Sequence, residues 1–110
     1  MTKEEFEAGL DHTRTTIANA IRKTLDDYGV DVIMGPADDR LASVAAGAGF
    51  PAAAVPLGYA DFNGRAFGMH IIGVAGSEST ILKVMSAWEA TFPEARMPPP
   101  LLVNWDTTCV

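Results

Sequence analysis

The chain has 110 residues, 48% of them hydrophobic, and a formal net charge of −6 at pH 7. That length corresponds to one domain or a piece of one, with enough apolar residues for a core. Because nucleic acids and anionic membranes select for basic surfaces, the acidic charge argues against both as partners. Cys109 is the only cysteine, there is no apolar run of about eighteen residues, and the N-terminus is polar. We therefore expect a cytoplasmic protein.

A long amphipathic helix is predicted over Thr2 to Tyr28. Thr2 and Glu5 fit a capping box, in which each side chain bonds a free backbone amide at the helix start. Gly29 is a natural end. The residues of the core-facing stripe recur at spacings of three and four: Phe6, Leu10, Thr13, Ile17, Ala20, Ile21, Thr24, Leu25 and Tyr28.

A short apolar strand is predicted next, over Val30 to Met34, and Gly35-Pro36 ends it. A short, alanine-rich helix follows from about Arg40 to Ala46. Asp38 or Asp39 is expected to cap this helix, because a carboxylate there can accept a bond from a free amide of the first turn.

Two apolar runs, Gly47 to Gly58 and Arg65 to Val74, form the centre of the predicted fold. Each is bounded by glycine or proline and is too short for a core helix, so both are predicted to be strands. Asn63-Gly64 lies between them and readily adopts the positive φ angles of a tight reversal. We therefore predict an antiparallel pair joined by a loop from about Tyr59 to Gly64.

A last helix is predicted to begin at Ser77, a good N-cap residue, and to end at Pro93. Its apolar stripe comprises Ile81, Val84, Met85, Trp88 and Phe92. Pro98-Pro99-Pro100 should run extended. Residues 101–110 show no periodicity and are expected to form a loose tail after a subdomain that spans residues 1–100.

This order predicts a layered α/β fold, in which two longer helices pack a small mixed sheet of about three strands. Along the last strand, Phe67, Met69 and Ile71 should project to one face, and Ile72 and Val74 to the other. Strands that are apolar on both faces are typical of sheets covered on both sides. The two helices are expected to shield one face well but not both, which indicates part of a larger sheet.

A glycine pattern and two histidines are the first candidates for chemistry. Gly47-x-Gly49-x-x-Ala52 resembles a dinucleotide-binding fingerprint, but helical residues precede it and a strand follows, which is the reverse of what phosphate binding requires. His12 is expected to be solvated on the first helix, and His70 to be a hydrogen-bonded residue of the sheet. No cysteine or second histidine lies at a zinc-ligand spacing from either.

Three further candidates have simpler structural interpretations. The adjacent acids Asp38 and Asp39 lie in a loop, where neighbouring side chains usually diverge. Ser79 and Lys83 lie one helical turn apart and could form a nucleophile pair, but nothing desolvates the lysine. Cys109 has no activating neighbours. The residues alone therefore predict no catalytic residue, metal site or cofactor.

Taken together, the segments resemble the C-terminal part of the amidase signature family of amide hydrolases. The resemblance covers about the first hundred residues and ends in Arg96-Met97-Pro98-Pro99-Pro100. Its specific part is a pair of phrases, of which the second is followed by Ser77-Glu78 and a helix to Trp88-Glu89. The matched segments are Val30–Pro36, Ala46–Gly58 and Asn63–Gly73. The two specific phrases within them are Gly49-Phe50-Pro51 with the small residues that lead to Pro56-Leu57-Gly58, and Phe67-Gly68-Met69-His70-Ile71-Ile72-Gly73.

The resemblance implies a large α/β/α fold whose catalytic serine, bridging serine and lysine lie in a glycine- and serine-rich stretch far upstream of this region. This sequence has no Ser-Ser pair, and Lys3, Lys23 and Lys83 match no catalytic position of the family. The region would complete the sheet and help to wall the acyl side of the pocket, through residues that the resemblance does not identify. Small amides would be substrates only of the complete fold.

Two hypotheses follow. The chain is the C-terminal portion of an amidase-signature hydrolase and is inactive alone, or it is a standalone interaction module. The second would self-associate or pair with a larger amidase-like partner through an open strand edge and an uncovered sheet face.

Overall fold

The computed structural model describes residues 1–93, which form three helices and three strands. The elements are α1 (Lys3–Tyr28), β1 (Ile33–Pro36), α2 (Leu41–Ala48), β2 (Ala52–Tyr59), β3 (Ala66–Ile72) and α3 (Glu78–Thr91). The predicted extended prolines, the boundary at residue 100 and the tail at 101–110 lie outside the described residues. The predicted α/β class is confirmed.

Helix α1 has both of its predicted ends. The Thr2 hydroxyl accepts from the Glu5 amide at 3.1 Å, and the Glu5 carboxylate accepts from the Thr2 amide at 2.7 Å. Gly29 ends the helix in the left-handed conformation, with φ at 61°. Of the predicted stripe, Ile21 and Leu25 are buried and Ile17 is half-buried, together with Ala18, which the stripe did not include. The rest of the stripe is wrong, because every residue from 1 to 16 and also Ala20, Thr24 and Tyr28 are exposed.

The next two elements are displaced from their predicted bounds. β1 begins at Ile33, and Val30 is 46% exposed in the turn that precedes it. α2 begins at Leu41 with Arg40 as its N-cap and no side-chain cap. The expectation that Asp38 or Asp39 caps α2 is wrong, because the Asp39 carboxylate accepts from the adjacent Arg40 amide at 2.7 Å instead.

The three strands form one sheet in the order β1-β3-β2, so the last strand lies in the middle. Ile72 of β3 lies opposite Ile33 of β1 and Ala52 of β2. Both pairings are antiparallel. The strand number is as predicted, but the sheet is not mixed.

The hairpin between β2 and β3 forms as the sequence predicts. Gly64 has φ at 70°, and the Asn63 side chain accepts from the Arg65 amide at 3.0 Å. The pairing shifts register between Pro56 and Gly58, which is a bulge. Gly68 is required beside it, because a Cβ at that position would overlap the Val55 carbonyl oxygen.

Each face of the sheet has its own core. On one face Ile72 packs with α1 and α2, through Ala18, Ile21, Leu25, Ala45 and Ala48. On the other face Ile71 and Val55 pack against Ile81 of α3. The predicted assignment of Ile71 and Met69 to one face and of Ile72 and Val74 to the other is confirmed. The expectation that only one face is well shielded is wrong, because α1 and α2 together cover the face with Ile72, and α3 covers the face with Ile71.

Helix α3 begins after Ser77, as predicted, but the Ser77 hydroxyl donates to the Val74 carbonyl at 2.6 Å and makes no cap. The Trp88 indole donates to the Pro56 carbonyl at 2.8 Å, which ties α3 to the outer strand β2. Among residues 1–93 no helix is both long and apolar enough to cross a membrane.

Candidate functional site

A wide apolar groove lies at the end of the sheet where the β2–β3 hairpin turns, with a volume of about 930 Å³. The end of β1 and the loop after it form one wall, and the hairpin forms the rest. The lining residues are Pro36, Ala37, Asp38, Ala54, Val55, Pro56, Leu57, Ala60, Phe62, Asn63, Arg65, Ala66, Phe67, Gly68 and Met69.

The groove owes its form to the local sequence of the hairpin. The Ala60 amide donates to the Arg65 carbonyl at 2.8 Å, and the Gly64 amide donates to the Ala60 carbonyl at 2.8 Å, which closes the loop. The Ala37 amide donates to the Gly68 carbonyl at 2.9 Å and brings the chain after β1 alongside β3. Helix α3 packs on Val55 and Met69 of the lining, whereas Phe67 remains 46% exposed.

The chemistry of the groove favours binding over catalysis. Phe62 is 88% exposed at the hairpin tip. Within residues 1–93, Asp38 and Arg65 are the only charged residues of the lining, and it contains no serine, cysteine, lysine or histidine. An apolar surface with one carboxylate and one guanidinium at its rim can hold a partner, but it offers no nucleophile.

A smaller cavity of about 380 Å³ lies between the end of α1 and the turn after β3. Arg22, Asp26 and Asp31 give it a polar lining. The Arg22 guanidinium stacks over the Phe50 ring at 5.1 Å from its centroid, so this cation already has a structural partner.

His70 lies in the middle of β3, opposite Gly35 and Ala54. Its Nδ1 is buried and has no hydrogen-bond partner within residues 1–93. The prediction that it is a sheet histidine is confirmed, whereas the expectation that it is hydrogen-bonded is wrong for this atom.

The other candidates do not meet in one site. His12, Ser79 and Lys83 are exposed on helix surfaces. Gly47 and Gly49 form the end of α2, and Gly49 has φ at 73°, as a helix end followed by a turn requires. Asp38 lines the groove, whereas Asp39 bonds the Arg40 amide. In the described part of the chain no three metal-ligating side chains come together, and Cys109 lies outside it.

The sequence does not by itself predict that Phe62, Arg65 and Phe67 line a groove. The sequence does place two aromatic residues and a cation, Phe62, Phe67 and Arg65, beside the predicted hairpin turn. Small polar residues are usual at such turns. Exposed aromatic residues at a turn are typical of an interaction surface, but they do not identify the partner.

Comparisons of sequence and of structure point to the same group of proteins. No protein-family model matches the chain. It is similar to a glutamyl-tRNA(Gln) amidotransferase subunit from Lactococcus lactis subsp. lactis, with 36% identity over an alignment of 98 residues that covers 71% of this chain and 19% of that protein. It also matches the crystal structure of an amidase family protein from Bacillus anthracis, with a TM-score of 0.80, 28% identity, and coverage of 90% of this chain and 19% of that chain. The chain thus spans about a fifth of the length of either protein, and the predicted resemblance to the amidase family is confirmed.

Proposed function

Because the chain resembles a part of the amidase signature family in sequence and in fold, we propose that it is the C-terminal portion of such a hydrolase and does not itself catalyse amide hydrolysis. One observation carries this proposal. The structural match takes in 90% of this chain but only 19% of the amidase chain, so the chain accounts for one segment of that fold.

The side chains of the described residues support a non-catalytic role. Ser43, Ser79 and Ser86 are exposed, and the Ser77 hydroxyl already donates to a carbonyl. Lys3 pairs with Glu7 at 3.7 Å, and Lys83 is exposed. A serine nucleophile requires a base within hydrogen-bond reach and a water-poor site, and no serine of residues 1–93 has both.

The groove at the hairpin end is the surface that we assign to contact with the rest of an amidase fold. It is apolar, it lies at the hairpin end of the sheet, and Phe62 and Phe67 are exposed there. Exposed aromatic residues around a concave surface are typical of a contact that is completed by another part of a protein. In a complete fold this contact would help to wall the pocket for a small amide.

The alternative is a standalone interaction module, and the two-sided core favours it. Since both sheet faces carry their own apolar cluster, the chain has the means to fold without additional strands. As a module it would pair with itself or with a larger amidase-like protein. For either function we propose the cytoplasm, where a lone cysteine stays reduced.

An activity assay tests the proposal. The purified chain should hydrolyse simple amides and esters no faster than buffer does, because a positioned nucleophile and base account for many orders of magnitude in rate. Single variants Ser43→Ala, Ser77→Ala, Ser79→Ala and Ser86→Ala provide the controls. Hydrolysis that all four retain indicates contamination, whereas hydrolysis that one of them abolishes overturns the proposal.

A further inference from the structure

The dipeptide Asn63-Gly64 at the turn of the β2–β3 hairpin brings an amide side chain beside a backbone nitrogen. Both residues are exposed. The Asn63 side chain folds back along the chain, because its Oδ1 accepts from the Arg65 amide at 3.0 Å. An asparagine that bonds the amide two residues on forms an Asx-turn, which mimics a backbone turn. The carbonyl carbon Cγ of Asn63 therefore lies beside the intervening Gly64 nitrogen.

Gly64 leaves the approach of these two groups unhindered. It has no Cβ to crowd its nitrogen, and its φ of 70° is one that residues with a Cβ rarely adopt. Apart from its chain neighbours, no residue of the described chain comes within 4 Å of the position that a Cβ would take. Solvent water therefore has access to the dipeptide.

A hydrogen bond restrains the Gly64 nitrogen while the hairpin loop is closed. The Gly64 amide donates to the Ala60 carbonyl at 2.8 Å, and the Ala60 amide donates to the Arg65 carbonyl at 2.8 Å. An amide nitrogen becomes a nucleophile only after it loses its proton. A hydrogen-bonded amide loses its proton to solvent when the bond opens locally, which is the basis of hydrogen exchange. The closed loop thus holds the two groups together and keeps the nitrogen unreactive.

We propose that Asn63 is a site at which the chain modifies itself, and that opening of the hairpin loop permits the reaction. In the opened loop, solvent hydroxide takes the Gly64 amide proton and the nitrogen attacks Cγ of Asn63. A bond forms between that nitrogen and Cγ, the bond from Cγ to Nδ2 breaks, and Nδ2 takes a proton from water and leaves as ammonia. Water then opens the cyclic imide at either carbonyl, which leaves aspartate or isoaspartate at position 63. The net reaction consumes water, releases ammonia and involves no oxidant or reductant.

The modification changes the apolar groove, because Asn63 belongs to its lining. Asp38 and Arg65 are the charged residues of the described lining, so a new carboxylate replaces a balanced pair of charges by a negative excess. In isoaspartate the backbone passes through the former side chain and is longer by a methylene group. The bond from Gly64 to Ala60 then cannot re-form with its original geometry. An altered contact at the groove rests on the proposed function, whereas the reaction itself does not.

Peptide mass mapping of the purified chain, aged at mildly alkaline pH with and without concentrated guanidinium chloride, tests the site and its control by the loop. The sequence has three asparagines and no glutamine, so each conversion of an amide to an acid can be assigned. Asn63 should convert at least about tenfold faster in the denaturant, which corresponds to a loop-opening free energy of about 1.4 kcal/mol or more. An isoaspartate-specific methyltransferase should label the same peptide.

Asn19 is the internal control, because it is also exposed but precedes Ala20, whose Cβ crowds the attacking nitrogen. Gly64→Ala is the matched variant, and in denaturant its result does not depend on whether the variant folds. Asn63 of this variant should convert as slowly as Asn19 does.

Equal rates for Asn63 in buffer and in denaturant would contradict the control by the loop. An Asn63 that converts no faster than Asn19 in denaturant, or that yields aspartate without isoaspartate, would overturn the site. These outcomes are independent of the hydrolysis assay, so they bear on this inference and not on the proposed function.

Discussion

Single residues set the geometry of the hairpin, and Gly64 is the clearest of them. Its φ of 70° lies in the left-handed region, where a side chain with a Cβ is strained. Gly68 is constrained differently, by the Val55 carbonyl oxygen that stands where its Cβ would be. The first requirement is visible in the dipeptide Asn63-Gly64, whereas the second depends on the register of β2 against β3 and is not visible in the sequence.

Replacing Gly64 tests whether the hairpin turn requires a residue without a Cβ at this position. Gly64→Val should lower the free energy of unfolding by about 1 kcal/mol or more, because a β-branched residue is strained at positive φ. Gly9→Ala is the control, since Gly9 is helical with open space around it, and it should raise the free energy of unfolding by about 0.5 to 1 kcal/mol. Denaturant unfolding measures both. An unchanged stability in Gly64→Val would show that the strain is relieved elsewhere in the loop.

At the scale of elements, periodicity and capping residues predict the helices better than the strands. α1 is confirmed to within a residue because Thr2, Glu5 and Gly29 each specify a backbone bond at an end of the helix. β1 begins three residues later than its apolar run predicts, since Val30 and Val32 precede the pairing with β3. The order of the strands and the core between α1, α2 and Ile72 are not predictable from the sequence. Both depend on α2, whose small alanines show little helical periodicity.

The unequal halves of α1 give a prediction at this scale. Ile21 is 3% exposed and packs on α2, whereas Leu10 on the same helix is 40% exposed. Ile21→Ala should cost about 2 to 5 kcal/mol, by loss of burial and creation of a cavity. Leu10→Ala should change the stability of the monomer by less than about 0.5 kcal/mol, as exposed sites usually do.

Thermal unfolding of both variants at the same protein concentration measures the two losses on equal terms. Equal losses in both would contradict the division of α1 into a packed half and an exposed half.

For the whole molecule, the family resemblance is predictable and the groove is not. The two phrases around Gly58 and Gly73 carry the resemblance in the order of their glycines and prolines, which sequence alone displays. The groove brings Pro36, Val55 and Phe67 together from three strands, and this follows only from the order β1-β3-β2. The environment of His70 is likewise not predictable from the sequence. Whether its Nδ1 finds a hydrogen-bond partner within residues 1–93 depends on the groups around the middle of the sheet, and it finds none.

The central claim is that this segment of an amidase fold holds no activated nucleophile, and covalent labelling tests it without knowledge of a substrate. A fluorophosphonate probe reacts with serines that a neighbouring base has activated, and intact-mass spectrometry counts the adducts. The account predicts that the folded chain keeps its unlabelled mass, as the heat-denatured control does. An adduct that forms only on the folded chain and disappears in Ser79→Ala or another single serine variant would contradict it.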